Sequence, residues 1–217
     1  MSNVNEIISL IKGGISEQEK KLLAKAYKFA EDAHAGQKRM SGEPYFNHAF
    51  ETAKILGKLG MDAQTIAAGL LHDVTPYTKV TVEDIKKEFG DEVAFLVESV
   101  TNLGTLKYRG HERHLESLRK FFIAMAHDLR VVIIKFADRL HNLRTLQFLS
   151  KEKGYRIAIE SIEVYASLAN RLGMGKIKGE LEDAAFPYAY PKEYAQTEEI
   201  IRKKRESYQK NLSEIQK

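Results

Sequence analysis

Three short segments carry side chains able to do acid–base or metal chemistry. His48 follows the run Ser41-Gly42-Glu43-Pro44-Tyr45. His72 and Asp73 are adjacent at the close of an apolar stretch. Asp138 is followed by Arg139, His141 and Asn142. Asp73 sits in Gly-Leu-Leu-His-Asp-Val and Asp138 in Ile-Ile-Lys-Phe-Ala-Asp. A carboxylate drawn into such surroundings is costly to bury unless it is paired or binds a metal ion. Singly, each feature has an ordinary reading: His72 as a satisfied core histidine, Asp138 as a solvated or ion-paired helical acid. The set is stronger than its members. Asp138, Asn142 and Thr145 stand at i, i+4 and i+7, which places them on one helix face.

Composition narrows the chemistry. The 217 residues include no cysteine, which excludes disulfides, Cys-ligated zinc, iron–sulfur clusters and a thiol nucleophile. Any metal must be held by His, Asp, Glu or neutral oxygens. Lys plus Arg number 34 and Asp plus Glu 30, a net charge of +4. That is too mild to argue for DNA, yet compatible with a small polyanion held by a few local cations. No apolar run approaches the roughly 18 residues of a membrane span. The start, Met-Ser-Asn-Val-Asn-Glu, has neither the basic nor the long apolar region of a secretory signal. A cytoplasmic protein with no membrane partner is expected.

The elements that must position these side chains read as helices throughout, so the expected fold is all-α, a multi-helix bundle. Ser16-Glu17-Gln18-Glu19 is a capping box, followed by a stripe of Leu22, Leu23, Ala26, Phe29, Ala30 and Ala33. A polar loop runs from Gly36 to Pro44. A second helix carries Ala49, Ala53, Leu56 and Leu59. Asp62 caps a third, with Ile66, Ala67, Leu70 and Leu71 buried. That helix must end at or before Thr75, because Pro76 disfavours helical geometry in the residue before it. Thr81 caps the next, Gly90 stops it, and Val93, Leu96, Val97 and Val100 mark another. Residues 104–110 read as a basic loop, and further helices are expected at about 112–127, 129–149, 152–171 and 192–217. The Lys107–Arg113 region and the run Arg202-Lys203-Lys204-Arg205 read as solvated. His111, His114 and His127 read as exposed, and Phe121, Phe122 and Met125 as core.

The motifs His34-Ala35-Gly36-Gln37 through His48, Ala68-Gly69-Leu70-Leu71-His72-Asp73-Val74, Asp138-Arg139-Leu140-His141-Asn142 and Ala169-Asn170-Arg171-Leu172-Gly173 run in one colinear series. In these the chain resembles the hydrolase domain of the RelA/SpoT family, within the HD superfamily of metal-dependent phosphohydrolases, from about residue 20 to 205. The resemblance implies an all-helical domain over 1–190 that removes the 3′-pyrophosphate from ppGpp and pppGpp with Mn²⁺. It implies His48, His72, Asp73 and Asp138 as metal ligands, a mixed N/O set to which Fe²⁺, Zn²⁺ or Ni²⁺ could also bind. Arg39 matches an arginine beside the metal and pyrophosphate, and Ser41, Asn142 and Thr145 match positions that contact the nucleoside. Arg39 and Asn142 are the residues to which a catalytic part is assigned. The basic helix over 191–217 is expected to lead toward a synthetase domain, the chain being read as a fragment.

The sequence departs from the family at two points. After His-Asp the family carries a Glu-Asp pair that orients or deprotonates the attacking water. This chain has Pro76-Tyr77 there. Proline has no acid–base group, and tyrosine, with an ordinary pKa of about 10, is a poor base near neutral pH. Glu43, Glu83 and Asp84 are the nearest acids in sequence that could substitute. Met40 stands where a lysine commonly follows the arginine. The sequence therefore leads to a metal-dependent pyrophosphohydrolase with weakened water activation. The alternatives are a catalytically degenerate alarmone-binding or regulatory domain and an HD phosphohydrolase of another nucleotide.

Overall fold

A computed structural model describes residues 3–11, 13–104 and 111–215, with side chains outside 104–118 and 206–217. The Lys107–Arg113 loop and the exposure of His111 and His114 lie outside the described residues and side chains. Among the described residues the chain is helical throughout. Its only β feature is an isolated bridge between Lys38 and Pro44. The all-α expectation is met. Two compact units, 1–149 and 150–217, make up the chain.

The first unit is organised around one short apolar helix. α1 (Val4–Ile8) and α2 (Glu17–Ala33) lead to α3 (Phe46–Lys58) and α4 (Ala63–Leu71). The capping box that starts α2 forms as the sequence predicts: Ser16 N–H donates to Glu19 Oε2 at 2.8 Å, and Glu19 N–H to Ser16 Oγ at 3.2 Å. Asp62 caps α4 by accepting from Thr65 N–H at 2.7 Å. Apart from Gln64, every residue of α4 is buried, as expected of a helix that is apolar on all sides. It packs against α2, α3, α6 (Val82–Gly104) and α8 (Leu129–Leu143). A methyl group on Gly69 would lie 2.4 Å from Leu56 Cδ1. The bare glycine is what lets α3 and α4 approach here. α6 is broken at Gly90, whose φ of 85° is left-handed, and resumes through the buried Val93, Leu96, Val97 and Val100.

α4 ends at Leu71, within the limit set by Pro76, but a one-turn helix, α5 (Val74–Tyr77), follows and contains both Thr75 and Pro76. Proline is tolerated there because the first N–H groups of a helix have no intrahelical acceptor to lose. α7 (His111–His127) precedes α8, and a 3₁₀ turn (Leu146–Phe148) closes the unit, so the helix expected over 129–149 is shorter than its apolar spacing suggested. Phe121 is core, as expected. Phe122 is not, being 49% exposed.

In the second unit α9 (Lys151–Glu160) runs through a π turn (Ser161–Ala166) into α10 (Ser167–Arg171). α11 (Gly175–Ala189) packs on α9 and the π turn, and α12 (Pro191–Ile215) follows. α11 was not among the expected helices. Its signal was the buried series Ile177, Leu181, Ala185, Ala189, one residue every four. No described helix is long and apolar enough to cross a membrane.

Candidate metal centre

Four side chains from three helix ends and one helix interior converge in the first unit. His48 lies in the first turn of α3, directly after a loop shaped by two left-handed glycines, Gly36 (φ 77°) and Gly42 (φ 83°). Within that loop Arg39 N–H donates to Glu43 O and Tyr45 N–H to Gln37 O, each at 2.9 Å. His72 ends α4 and Asp73 precedes α5, so the junction between these helices turns both side chains toward His48. Asp138 comes from α8. His48, His72 and Asp138 are all buried, and one ligand atom from each lies within 4.8 Å of the others. His48 Nε2 is 3.2 Å from Asp138 Oδ1 and 3.5 Å from Asp73 Oδ2. His72 Nε2 is 3.3 Å from Asp73 Oδ1.

The residues fit a divalent cation. His72 Nδ1–H donates to Gly69 O at 2.8 Å, so in the neutral ring Nε2 carries the lone pair. That atom is buried and makes no hydrogen bond. A bare imidazole nitrogen aimed among carboxylates is the arrangement a metal ligand requires, with the backbone carbonyl fixing its tautomer from behind.

Around this centre the side chains form a continuous polar network. Asn142 Nδ2 donates to Asp138 Oδ1 at 2.6 Å. Arg39 Nη2 donates to Asn142 Oδ1 at 2.7 Å, and Arg39 Nη1 lies 3.2 Å from His141 Nδ1. His141 Nδ1 is in turn 2.7 Å from His48 Nδ1. Tyr45 Oη donates to Asp73 Oδ2 at 3.1 Å, its ring stacked on the buried His34. Lys135 Nζ meets Asp138 Oδ2 at 2.5 Å. Burial opposes ionisation of Asp138, but the Lys135 ammonium beside it outweighs that and holds the carboxyl well below the ordinary range. Burial pushes His48 down. It also brings His141 down to about 3, with help from the Arg39 charge, so the His141 ring is neutral near pH 7.

A cavity of about 280 Å³ opens onto the centre. Its lining includes Arg39, Tyr45, His48, His72, Asp73, Pro76, Tyr77, Thr101, Lys135, Asp138 and Asn142. Pro76 and Tyr77 therefore stand beside the candidate ligands. Burial, and then the Asp73 charge, raise the Tyr77 hydroxyl above its usual value, away from any role as a base. Among the described residues, the only carboxylates on the lining are Asp73 and Asp138. Glu43, Glu83 and Asp84 are not part of it, and Asp84 is engaged by Thr81 N–H at 2.9 Å.

Of the residues singled out in the sequence, Arg39, His48, His72, Asp73, Asp138 and Asn142 meet at this cavity. Ser41 and Thr145 do not line it. The Ser41 hydroxyl lies 3.5 Å from Glu43 Oε2, and Thr145 Oγ1 donates to Asn142 O at 3.1 Å on its own helix. Met40 is 79% exposed and is likewise off the lining. Lys135 and Tyr45 went unassigned in the sequence. Lys135 had a legible signal, a lone charge in Val-Val-Ile-Ile-Lys-Phe-Ala, three residues before Asp138 on the face that also carries Asn142.

Comparison with known proteins places this geometry. Residues 26–175 match the HD domain family. The chain is 46% identical over 192 residues to the guanosine-3′,5′-bis(diphosphate) 3′-pyrophosphohydrolase of Aquifex aeolicus, covering 88% of this chain and 27% of that protein. It is 45% identical over 212 residues to the bifunctional (p)ppGpp synthase/hydrolase SpoT of Escherichia coli K12, covering 95% and 30%. It is 49% identical over 180 residues to a GTP pyrophosphokinase of Streptomyces coelicolor, covering 83% and 21%. The chain thus spans less than a third of the length of these relatives. A solved structure, described as a metazoan ortholog of SpoT that hydrolyzes ppGpp, superposes with a TM-score of 0.57 at 25% identity, covering 80% of this chain and 94% of that one. With its histidines and aspartates gathered on an all-helical scaffold, the chain belongs to the HD-domain family and is similar to RelA/SpoT-type relatives.

Proposed function

We propose that this domain is a metal-dependent pyrophosphohydrolase of guanosine 3′,5′-bis(diphosphate), working slowly because its water-activating acids are replaced. The observation that carries the reading is the convergence of His48, His72, Asp73 and Asp138 at a cavity that also presents Arg39, Asn142 and Lys135. Those four would hold Mn²⁺, or another divalent ion suited to mixed nitrogen and oxygen ligands. Such an ion polarises a phosphoryl group and lowers the pKa of bound water. The side chains supply the rest. Arg39 and Lys135 balance the charge of Asp73 and Asp138 on the lining, so a bound divalent ion leaves a positive excess that suits a polyphosphate. Arg39 and Asn142, already joined, orient the nucleotide beside the centre. Tyr45 holds Asp73.

Among the described lining residues, none beyond the candidate ligands is a base suited to take the proton from water. Losing a general base costs about 10²–10⁴-fold in rate, which leaves a slow enzyme. The same observation favours a second reading, a domain that binds alarmone without turnover. We place the HD domain at 1–190, since the family match runs to residue 175, and read the helix from Pro191 as a connection toward a synthetase half. We read the protein as cytoplasmic.

The test is pyrophosphate release from ppGpp with and without Mn²⁺, for the wild type and for the double variant Pro76→Glu, Tyr77→Asp. Slow Mn²⁺-dependent turnover that rises in the variant supports the enzyme reading. Bound ppGpp with no wild-type turnover supports the binding reading. A protein that retains neither metal nor ppGpp refutes the site.

A further inference from the structure

His141 belongs neither to the candidate ligands nor to the cavity lining, yet two nitrogens of other residues approach one of its atoms. Arg39 Nη1 lies 3.2 Å and His48 Nδ1 2.7 Å from His141 Nδ1. A guanidinium has only N–H donors and stays charged at any ordinary pH. Its contact with His141 Nδ1 is a hydrogen bond only if that nitrogen is bare. A bare His141 Nδ1 cannot donate to His48, so the short contact requires His48 Nδ1 to carry the proton. In a neutral ring that leaves the lone pair on His48 Nε2, the atom that faces Asp138 and Asp73. The direction of every proton follows from the one group whose donors are never in doubt.

A second relay leaves the same guanidinium. Arg39 Nη2 donates to Asn142 Oδ1, which fixes the amide so that its NH₂ group donates to Asp138 Oδ1. The two relays therefore end on ligands that face each other at 3.2 Å.

We propose that His141 is a positioning residue, held as an acceptor by Arg39, which keeps the proton of His48 on Nδ1 and its Nε2 lone pair turned into the metal centre. The inference rests on the reading of His48 as a ligand but not on hydrolysis of any nucleotide. Without the acceptor at His141, the His48 proton is free to move to Nε2, where Asp138 Oδ1 would take its hydrogen bond. A metal ion would then have to displace that proton.

The test compares wild type, His141→Leu and His141→Asn, without nucleotide. Asparagine places an oxygen on the branch from Cγ that Nδ1 occupies in histidine, so it can accept from both Arg39 and His48. The readouts are the ¹⁵N shifts of the His48 ring in metal-free protein, which report the tautomer, and the Mn²⁺ dissociation constant by calorimetry. Expected are an Nδ1–H tautomer at His48 in the wild type, Mn²⁺ binding weakened about 10–100-fold in His141→Leu, and recovery in His141→Asn. An Nε2–H tautomer in the wild type overturns the proposal. So does wild-type Mn²⁺ affinity in a folded His141→Leu, or a folded His141→Asn that binds as poorly as His141→Leu. If His141→Leu does not fold, the wild-type tautomer and the asparagine variant decide. Mn²⁺ binding with the expected tautomer but no ppGpp hydrolysis would count against the enzyme reading alone.

Discussion

Replacing Lys135 with methionine isolates the strongest charge contact in the centre. Lys135 Nζ meets Asp138 Oδ2 at 2.5 Å, with side-chain exposures of only 14% and 9%. At an effective dielectric of about 20, two unit charges at that distance attract by about 6–7 kcal/mol, much of which offsets the cost of desolvating both. Methionine keeps the length and apolar stem but leaves the buried Asp138 beside Asp73 without the ammonium. Breaking a buried pair from one side costs about 3–5 kcal/mol, and that is the expected loss for Lys135→Met in metal-free protein by urea denaturation. Asp138→Asn should also destabilise, removing the carboxylate that the buried ammonium faces. The double variant should lose less than the sum, by a coupling of about 2–3 kcal/mol. Excess Mn²⁺ should stabilise Lys135→Met more than the wild type, because the ion supplies the positive charge that methionine lacks. A metal-free Lys135→Met within about 1 kcal/mol of wild type, the size of a surface pair, would refute both the burial argument and the place given to Lys135.

Gly69→Ala puts a methyl 2.4 Å from Leu56 Cδ1, so Leu56 must move within a closed core. The expected loss is about 1–3 kcal/mol, read by denaturation, and unchanged stability would show that α3 and α4 can part freely. Asp128 caps α8 and accepts from Arg130 through its backbone N–H, Nε and Nη2, and the Arg130 side chain holds its carboxyl below the ordinary value. That stability is present above about pH 4 and is lost as pH falls through the depressed folded-state value. Asparagine still caps the helix but loses the Arg130 ion pair, so Asp128→Asn should cost up to about 1 kcal/mol at pH 7 and converge with the wild type in acid. A gap independent of pH would refute the assignment. Pro76→Glu with Tyr77→Asp offers Lys135 new carboxylate partners, since the Lys135 charge already reaches Tyr77. The Lys135–Asp138 coupling should shrink in that background, and an unchanged coupling would mean the new acids point elsewhere.

What could be read from the sequence follows the range of each physical signal. Caps are local, so Ser16-Glu19 and Asp62-Thr65 were legible from a few residues and form as expected. The four-residue spacing of Ile177, Leu181, Ala185 and Ala189 was equally available, but Pro187 inside the last turn disguised α11. Apolar spacing past Leu143 continued through Leu146 and Leu149 while the backbone tightened into a 3₁₀ turn, because spacing alone cannot distinguish the two. At the site, the acids in apolar contexts announced themselves by their burial cost. Which nitrogen of His48 carries the proton could not be read, since it depends on Arg39 reaching His141 across 102 positions of chain.

The centre separates into a part that is fully supported and a part that is missing. Each candidate ligand has a second partner that fixes its orientation: Gly69 O for His72, His141 for His48, Asn142 and Lys135 for Asp138, Tyr45 for Asp73. Such outer contacts are what set metal affinity, and here they are complete. Among the described residues an attacking water would have no comparable partner, because they offer the lining no carboxylate beyond Asp73 and Asp138. Pro76 lacks an N–H and Tyr77 is raised away from a base, while the Tyr77 carbonyl is held by Gln37 Nε2 at 2.9 Å, so the short helix is rigidly placed rather than loosely degenerate. Under the proposed reading, a site built this way would hold its ion firmly and would rely on that ion, rather than on a side chain, to make water nucleophilic. Its rate should therefore follow the acidity of the bound metal more steeply than in a relative that keeps the acid pair.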